Sequence, residues 1–364
     1  MLLLSAIPVS NTSEIRTEPA EVVTPRNIIL MIGDGMGISQ ISAAMYVNGN
    51  KTNLEKFPVV GLHKAIAADG LITDSAAGST ALACGVRTYT GAIGVNQDTM
   101  PMMSILEEAE ARGMATGLVT TSSITDATPA AFIAHVKLRN QVEDIAASFL
   151  NTEIDFLVGG GENAFTRRKT DNRNLRLELE QKGYFVSGYK EQALTDIVPV
   201  TQQNFAYFTA EEEPLSAAKG RNYLPLASNM ATYFLNKRSG EKGFFLMVEG
   251  AQIEWGGHEK NSEYIISEMT DFEKAISEVL KFAERDGETL VIVTADHETG
   301  GYAINPGSTV DSLIPAFSTD QATGSLIPVF AYGPGAEYFR GIYDNTSIYA
   351  RMRKSMGWAS RASN

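Results

Sequence analysis

Short apolar runs rich in β-branched residues alternate with helical patterns along this chain, and each run closes on glycines or polar residues. That alternation predicts parallel strands joined by crossover helices, an α/β fold around a central, mostly parallel sheet. Asn27–Ile32 ends in Gly33-Asp34-Gly35-Met36-Gly37, and Gly117–Thr120 leads into Thr121-Ser122-Ser123. Phe156–Val158 ends in Gly159-Gly160-Gly161, Phe244–Val248 in Glu249-Gly250, and Leu290–Thr294 in Ala295-Asp296-His297. Between the last two, Ile265, Met269, Phe272, Ile276, Val279 and Phe282 recur near helical spacing, so one long amphipathic helix is expected over Glu263–Glu284.

A chain of 364 residues with 44% hydrophobic side chains can bury a large core. It shows no repeats and no low-complexity linker, which points to one domain over residues 26–364. The polar stretch at about 162–221 reads as an inserted lobe, with Arg167-Arg168-Lys169 and Glu211-Glu212-Glu213 as solvated faces. Residues 1–25 form an N-terminal segment that starts apolar but has no basic stretch before it. Two readings of it stay open, the remnant of a clipped signal peptide or a flexible segment. No run approaches the roughly 18 apolar residues of a membrane span. Cys84 is the only cysteine, so no intramolecular disulfide can form. The net charge of −13 argues against nucleic-acid binding. An anionic ligand would need bound cations to invert the local field.

The chemistry collects where the strands end. In open α/β sheets ligands bind outside the carboxyl ends of the strands. Asp34, Glu249, Asp296 and His297 all fall there, and together they would repel one another unless cations were present. Mixed carboxylate and imidazole donors suit zinc, and all-oxygen sites suit magnesium. Glu254 and His258 are four apart, so one helical turn puts both on one face. In Ile72-Thr73-Asp74-Ser75-Ala76-Ala77-Gly78-Ser79-Thr80-Ala81, Ser75 sits at an expected helix start, where backbone N–H groups favour negative charge. A capping serine and a nucleophilic or phosphate-binding serine both fit that position.

Five blocks in order resemble the alkaline phosphatase family: Gly33-Asp34-Gly35-Met36-Gly37, Thr73-Asp74-Ser75-Ala76-Ala77-Gly78, Asp126-Ala127-Thr128-Pro129-Ala130, Val248-Glu249-Gly250-Ala251-Gln252-Ile253-Glu254 and Thr294-Ala295-Asp296-His297-Glu298-Thr299-Gly300-Gly301. The resemblance runs from about residue 26 to Tyr332-Gly333-Pro334. It implies a three-layer sandwich with a small decorated edge, and hydrolysis of small phosphate monoesters to alcohol and inorganic phosphate. It further implies a homodimer, a periplasmic or secreted location, and a site with two zinc ions and one magnesium.

By the same resemblance Ser75 is the nucleophile that forms a phosphoserine, and Arg139 clamps two phosphate oxygens. Asp34, Asp296 and His297 hold one zinc, and Glu254 and His258 the other. Thr128 and Glu249 join Asp34 around magnesium. Asp126 lies beside the magnesium, and Trp255 shapes the substrate-binding mouth. His63, His135 and Cys84 read as packing or supporting residues.

Two departures stand out. The family carries a third histidine on the second zinc, and here that block reads Phe317-Ser318-Thr319-Asp320-Gln321-Ala322-Thr323-Gly324-Ser325, with Ala322 at the histidine position. Alanine cannot ligate. An engineered site, a weak second zinc and a reach inward by Asp320 all remain open at this stage. The stretch at about 299–318 is also short, so the family's interface insertion is reduced. Two rival functions follow, a phosphodiesterase or sulfatase of the same superfamily, and a weakly catalytic protein that binds phosphate and metal.

Overall fold

A computed structural model describes residues 24–359. The N-terminal segment of the sequence reading, apart from its last two residues, lies outside the described residues. The strands in chain order are β1 (Asn27–Gly33), β2 (Val59–Lys64), β3 (Ala115–Ser123), β4 (Phe156–Gly160), β5 (Phe185–Gly188), β6 (Phe205–Phe208), β7 (Phe244–Gly250) and β8 (Thr289–Thr294). Four short ones follow, β9 (Glu298–Thr299), β10 (Tyr302–Ile304), β11 (Pro315–Phe317) and β12 (Ala322–Thr323), and then β13 (Leu326–Tyr332) and β14 (Gly341–Asp344).

Ten of these make one sheet in the order β14-β2-β13-β8-β1-β7-β3-β4-β6-β5. Only β13 runs antiparallel to its neighbours, so the sheet is mostly parallel, as expected. A parallel sheet needs cover on both faces, because each crossover lays a helix against it. β1 shows the result: Ile28, Leu30 and Ile32 enter one core, while Ile29 and Met31 enter the other. The first core includes Ala76 and Leu82 of helix Ser75–Cys84, and Ile348 and Met352 of helix Ser347–Ser355. The second is covered by helices Leu224–Ser239 and Ser262–Asp286. The expected long helix is therefore present, and all six of its predicted apolar positions are buried. Asn261 caps its start by accepting from Tyr264 N at 3.1 Å, and Gly287, at φ +74°, ends it.

The segment read as an inserted lobe lays β5 and β6 onto the edge of the main sheet. Residues 299–318 form little more than the β10–β11 hairpin. No helix of the described residues is long and apolar enough to cross a membrane.

Register then decides where the chemistry meets. Ile32 of β1 stands level with Glu249 of β7 and with Thr294 of β8. Asp34, Glu249 and Asp296 consequently emerge together at the carboxyl edge of three adjacent central strands. Glu249 lies inside β7 rather than beyond it.

Candidate active site

Asp34, Asp296 and His297 each present a donor atom within 4.8 Å of the others, and all three are buried. His297 Nε2 lies 3.4 Å from Asp296 Oδ2 and 3.7 Å from Asp34 Oδ1. Thr299 Oγ1 sits 3.1 Å from the other ring nitrogen, His297 Nδ1, and so fixes the ring plane. The chain can turn this tightly after β1 because Gly35 has φ +69°, and a Cβ there would meet Glu254 Cα at 2.8 Å.

Burial pushes the Asp34 carboxyl well up, and the charges of Asp296, Glu254 and Glu249 push it further. Burial likewise raises Asp296 and Glu249, the latter with help from Asp126. Three carboxylate oxygens, Asp34 Oδ1, Asp296 Oδ2 and Glu249 Oε1, are buried with no hydrogen-bond partner. Crowded acidic oxygens without hydrogen-bond donors are costly unless positive charge is placed among them. This donor set fits divalent cations.

Ser75 opens helix Ser75–Cys84 and is buried. Asp74 is its N-cap: Oδ1 accepts from Ala77 N at 2.9 Å, and Oδ2 accepts from Gly91 N at 3.0 Å. Ser75 Oγ lies 3.5 Å from both carboxylate oxygens of Glu254 and from His297 Nε2. The helix approaches the strand ends closely because its residues are small; a Cβ on Gly78 would lie 3.1 Å from Asp296 Cβ.

Glu254 and His258 occupy helix Gln252–His258, with Nε2 and Oε1 3.2 Å apart. Burial alone would raise Glu254. The hydrogen bond from His258 and the charges of His297, His258 and Arg139 outweigh it and hold this carboxylate below its usual range. The partnership with Glu254 lifts His258 to about 9. Thr128 Oγ1 donates to Asp34 Oδ2 at 3.4 Å and accepts from Ser79 Oγ at 3.0 Å. Glu249 accepts from Thr120 Oγ1 at 2.5 Å and from Ser122 Oγ at 3.4 Å.

Arg139 reaches back over this edge. Its Nη2 donates to Asp126 Oδ1 at 2.9 Å and its Nη1 lies 3.6 Å from Asp74 Oδ2. Burial works against its charge, but Asp126, Asp74 and Glu254 more than compensate and raise its pKa. Trp255 is half-buried on the same helix as Glu254. One residue on in the helix, its side chain leaves the axis about 100° away from that carboxylate.

The Asp320 carboxylate is not directed at the donors. It is exposed and accepts from Gln321 Nε2 at 3.1 Å, while the Asp320 backbone oxygen sits 2.5 Å from His258 Nδ1. Inward ligation by Asp320 is thus replaced by a main-chain contact that orients the imidazole.

Sequence reasoning missed Thr299, Thr120 and Ser122 as supports of the donors, and Glu213, which accepts from Ser123 N at 2.6 Å. Thr299 could have been found from its place in the Asp296–Gly301 block. The others come together only through strand register. His63 is a support, as expected: its Nε2 is 2.9 Å from Ala295 O, one residue before Asp296, and burial drops its pKa to about 4. His135 does not sit among apolar groups alone; it bridges Glu107 at 2.9 Å and Gly94 O at 2.7 Å.

A family model described as alkaline phosphatase matches residues 25–322. The chain belongs to the alkaline phosphatase family. It is 34% identical to alkaline phosphatase 4 of Bacillus subtilis over 88% of this chain and 86% of that protein. It is 32% identical to the alkaline phosphatase of Escherichia coli over 91% of this chain and 86% of that protein. Among solved structures, the alkaline phosphatase of the Antarctic bacterium TAB5 superposes with a TM-score of 0.87 at 41% identity, covering 93% of this chain and all of that one. A mutant of that enzyme has been solved with Mg bound in its M3 site. As an alkaline phosphatase this chain is a phosphoric monoester hydrolase that works on small phosphoesters.

Proposed function

We propose that this alkaline phosphatase hydrolyses phosphate monoesters in two displacements through a phosphoserine on Ser75. The observation that carries the reading is Ser75 Oγ, buried at a helix N-terminus, 3.5 Å from His297 and Glu254 and beside carboxylate oxygens that have no hydrogen-bond partner. Asp34, Asp296 and His297 would hold one zinc ion, Glu254 and His258 would contribute to a second, and Asp34, Thr128 and Glu249 would hold magnesium. Bound there, these cations would supply positive charge that lowers the serine pKa and offsets the charge of the phosphate and of the departing oxygen.

Ser75 Oγ, having given its proton to solvent, attacks phosphorus, the bond to the ester oxygen breaks, and the departing oxygen takes a proton from solvent to leave as the alcohol. Water then attacks the phosphoserine, the Oγ–phosphorus bond breaks, and Ser75 recovers its proton as inorganic phosphate departs. Arg139 offers its planar fork to two non-bridging phosphate oxygens, and Asp126 and Asp74 aim it. Trp255 would border the leaving group. Homodimeric assembly and a periplasmic or secreted location are part of the same proposal.

Ser75→Ala tests it. The expected outcome is no acid-stable phosphoprotein after reaction with labelled substrate, with metal content close to that of the parent. A labelled adduct in the variant would place the nucleophile elsewhere. Turnover of an aryl diester or aryl sulfate faster than the aryl monoester would reassign the reaction.

A further inference from the structure

We propose that this chain holds only one zinc ion tightly on its own and takes up the second, at Glu254 and His258, together with phosphate. The proposal rests on the site assignments above and deepens them.

Among the described residues, the acidic and imidazole donors form one converging group of three, Asp34, Asp296 and His297. Glu254 and His258 face each other as a pair, and the remaining question is what stands at the third corner. The short ladder of β9 and β12 answers it. Ala322 is directly opposite Thr299, and Thr323 is directly opposite Glu298. Opposed residues on antiparallel strands project to the same face, and neighbours along a strand to opposite faces. Thr323 Oγ1 donates to Glu298, which marks one face. Thr299 Oγ1 is in contact with His297 Nδ1, which marks the other. The Ala322 side chain is therefore on the face that carries His297, two residues from the Asp320 oxygen that orients His258. On that face Ala322 offers a methyl group and no donor atom.

Catalytic zinc sites use three protein ligands and leave one position open. With two ligands, at least two positions go to water or to oxygens of the ester. Phosphate oxygens that complete the coordination raise the affinity for zinc, and by linkage zinc raises the affinity for phosphate by the same factor. The enzyme would then assemble its second cation site with each substrate, and product phosphate would retain the ion.

The test is zinc titration of the full chain by calorimetry in excess magnesium, with and without inorganic phosphate. Without phosphate one tight zinc per chain is expected. With saturating phosphate a second should appear, its Kd lowered about 10- to 100-fold. Ala322→His should bind two tight zinc ions without phosphate and lose most of the phosphate effect. His258→Ala should abolish the phosphate-linked ion and keep the tight one. Two tight zinc ions in the parent without phosphate, or no second ion even with phosphate, would overturn the proposal. If Ala322→His fails to fold, the two arms on the parent chain decide alone. Loss of phosphoserine trapping with phosphate-linked zinc intact would sink the proposed reaction and leave this inference standing.

Discussion

Arg139 is restrained before any substrate arrives, by Asp126 at 2.9 Å and Asp74 at 3.6 Å. A long cationic side chain loses rotamer freedom on binding, and two carboxylates that already hold it lower that cost. They also compete with phosphate for the same N–H donors, so the net gain from the clamp is moderate. A charge-assisted bidentate contact contributes about 1.5–3 kcal/mol, so Arg139→Ala should lower kcat/KM by roughly 10- to 100-fold. Arg139→Lys should recover little of that, because an ammonium cannot span two oxygens with fixed geometry. Steady-state kinetics with an aryl phosphate, alongside Ki for inorganic phosphate, checks both variants. A fall beyond about four decades would mean that Arg139 does more than bind.

At the scale of an element, helix Ser75–Cys84 couples folding to chemistry through its cap. Asp74 holds Ala77 N with one oxygen, while the other meets Gly91 N and Arg139. Asp74→Ala should cost about 1 kcal/mol in urea unfolding through the lost cap. It should also raise the Ki for phosphate as Arg139 loses one tether. Asp74→Asn keeps a capping oxygen and removes the charge, so stability should return while the change in Ki persists. A Ki unchanged from the parent in Asp74→Asn would separate Arg139 from the cap. The same helix shows what could be read in advance. Ser75, Asp34, Asp296 and His297 were legible because each follows an apolar run at a strand or helix boundary, where polar side chains are conspicuous. The central strands β1, β7 and β8 were legible because burial on both faces leaves their runs almost wholly apolar. β2 was not, since it alternates buried and exposed residues over six positions and includes a glycine and a histidine. β13 carries Pro328 within its run, tolerated here although proline donates nothing to a ladder. The side to which Ala322 points depends on pairing between two-residue strands, and no periodicity can reveal that.

Across the whole molecule, the site is assembled from both halves of the chain, and the edge segment is tied back to it. Glu213 accepts from Ser123 N, and Gln252 Nε2 donates to Pro214 O at 3.0 Å, so residues 213–215 lie against the end of β3, which supports Glu249, and against the helix that carries Glu254 and His258. Their anchor is Arg221, whose Nη2 is 2.5 Å from Glu268 and 2.8 Å from Asp271 on the long helix. All three residues are buried. Removing one partner of such a cluster strands the others, at a cost of about 3–5 kcal/mol, so Arg221→Leu should be destabilised by that amount near pH 8. The deficit should depend on pH in a definite direction. Burial already raises Glu268 above its usual value even with Arg221 beside it, and loss of the guanidinium raises it further. In the variant the folded state then binds a proton more tightly than the unfolded state does. Its stability falls as pH rises from the unfolded value of about 4.5 through the raised folded value, and levels off above it. Urea unfolding of parent and variant at pH 5 and pH 8 should therefore show the smaller gap at pH 5. Arg221→Leu combined with Glu268→Gln should flatten most of that dependence, leaving Asp271 as the remaining buried charge. A gap that widens toward acid would show that the cluster stabilises the fold by some means other than the pairing of these charges.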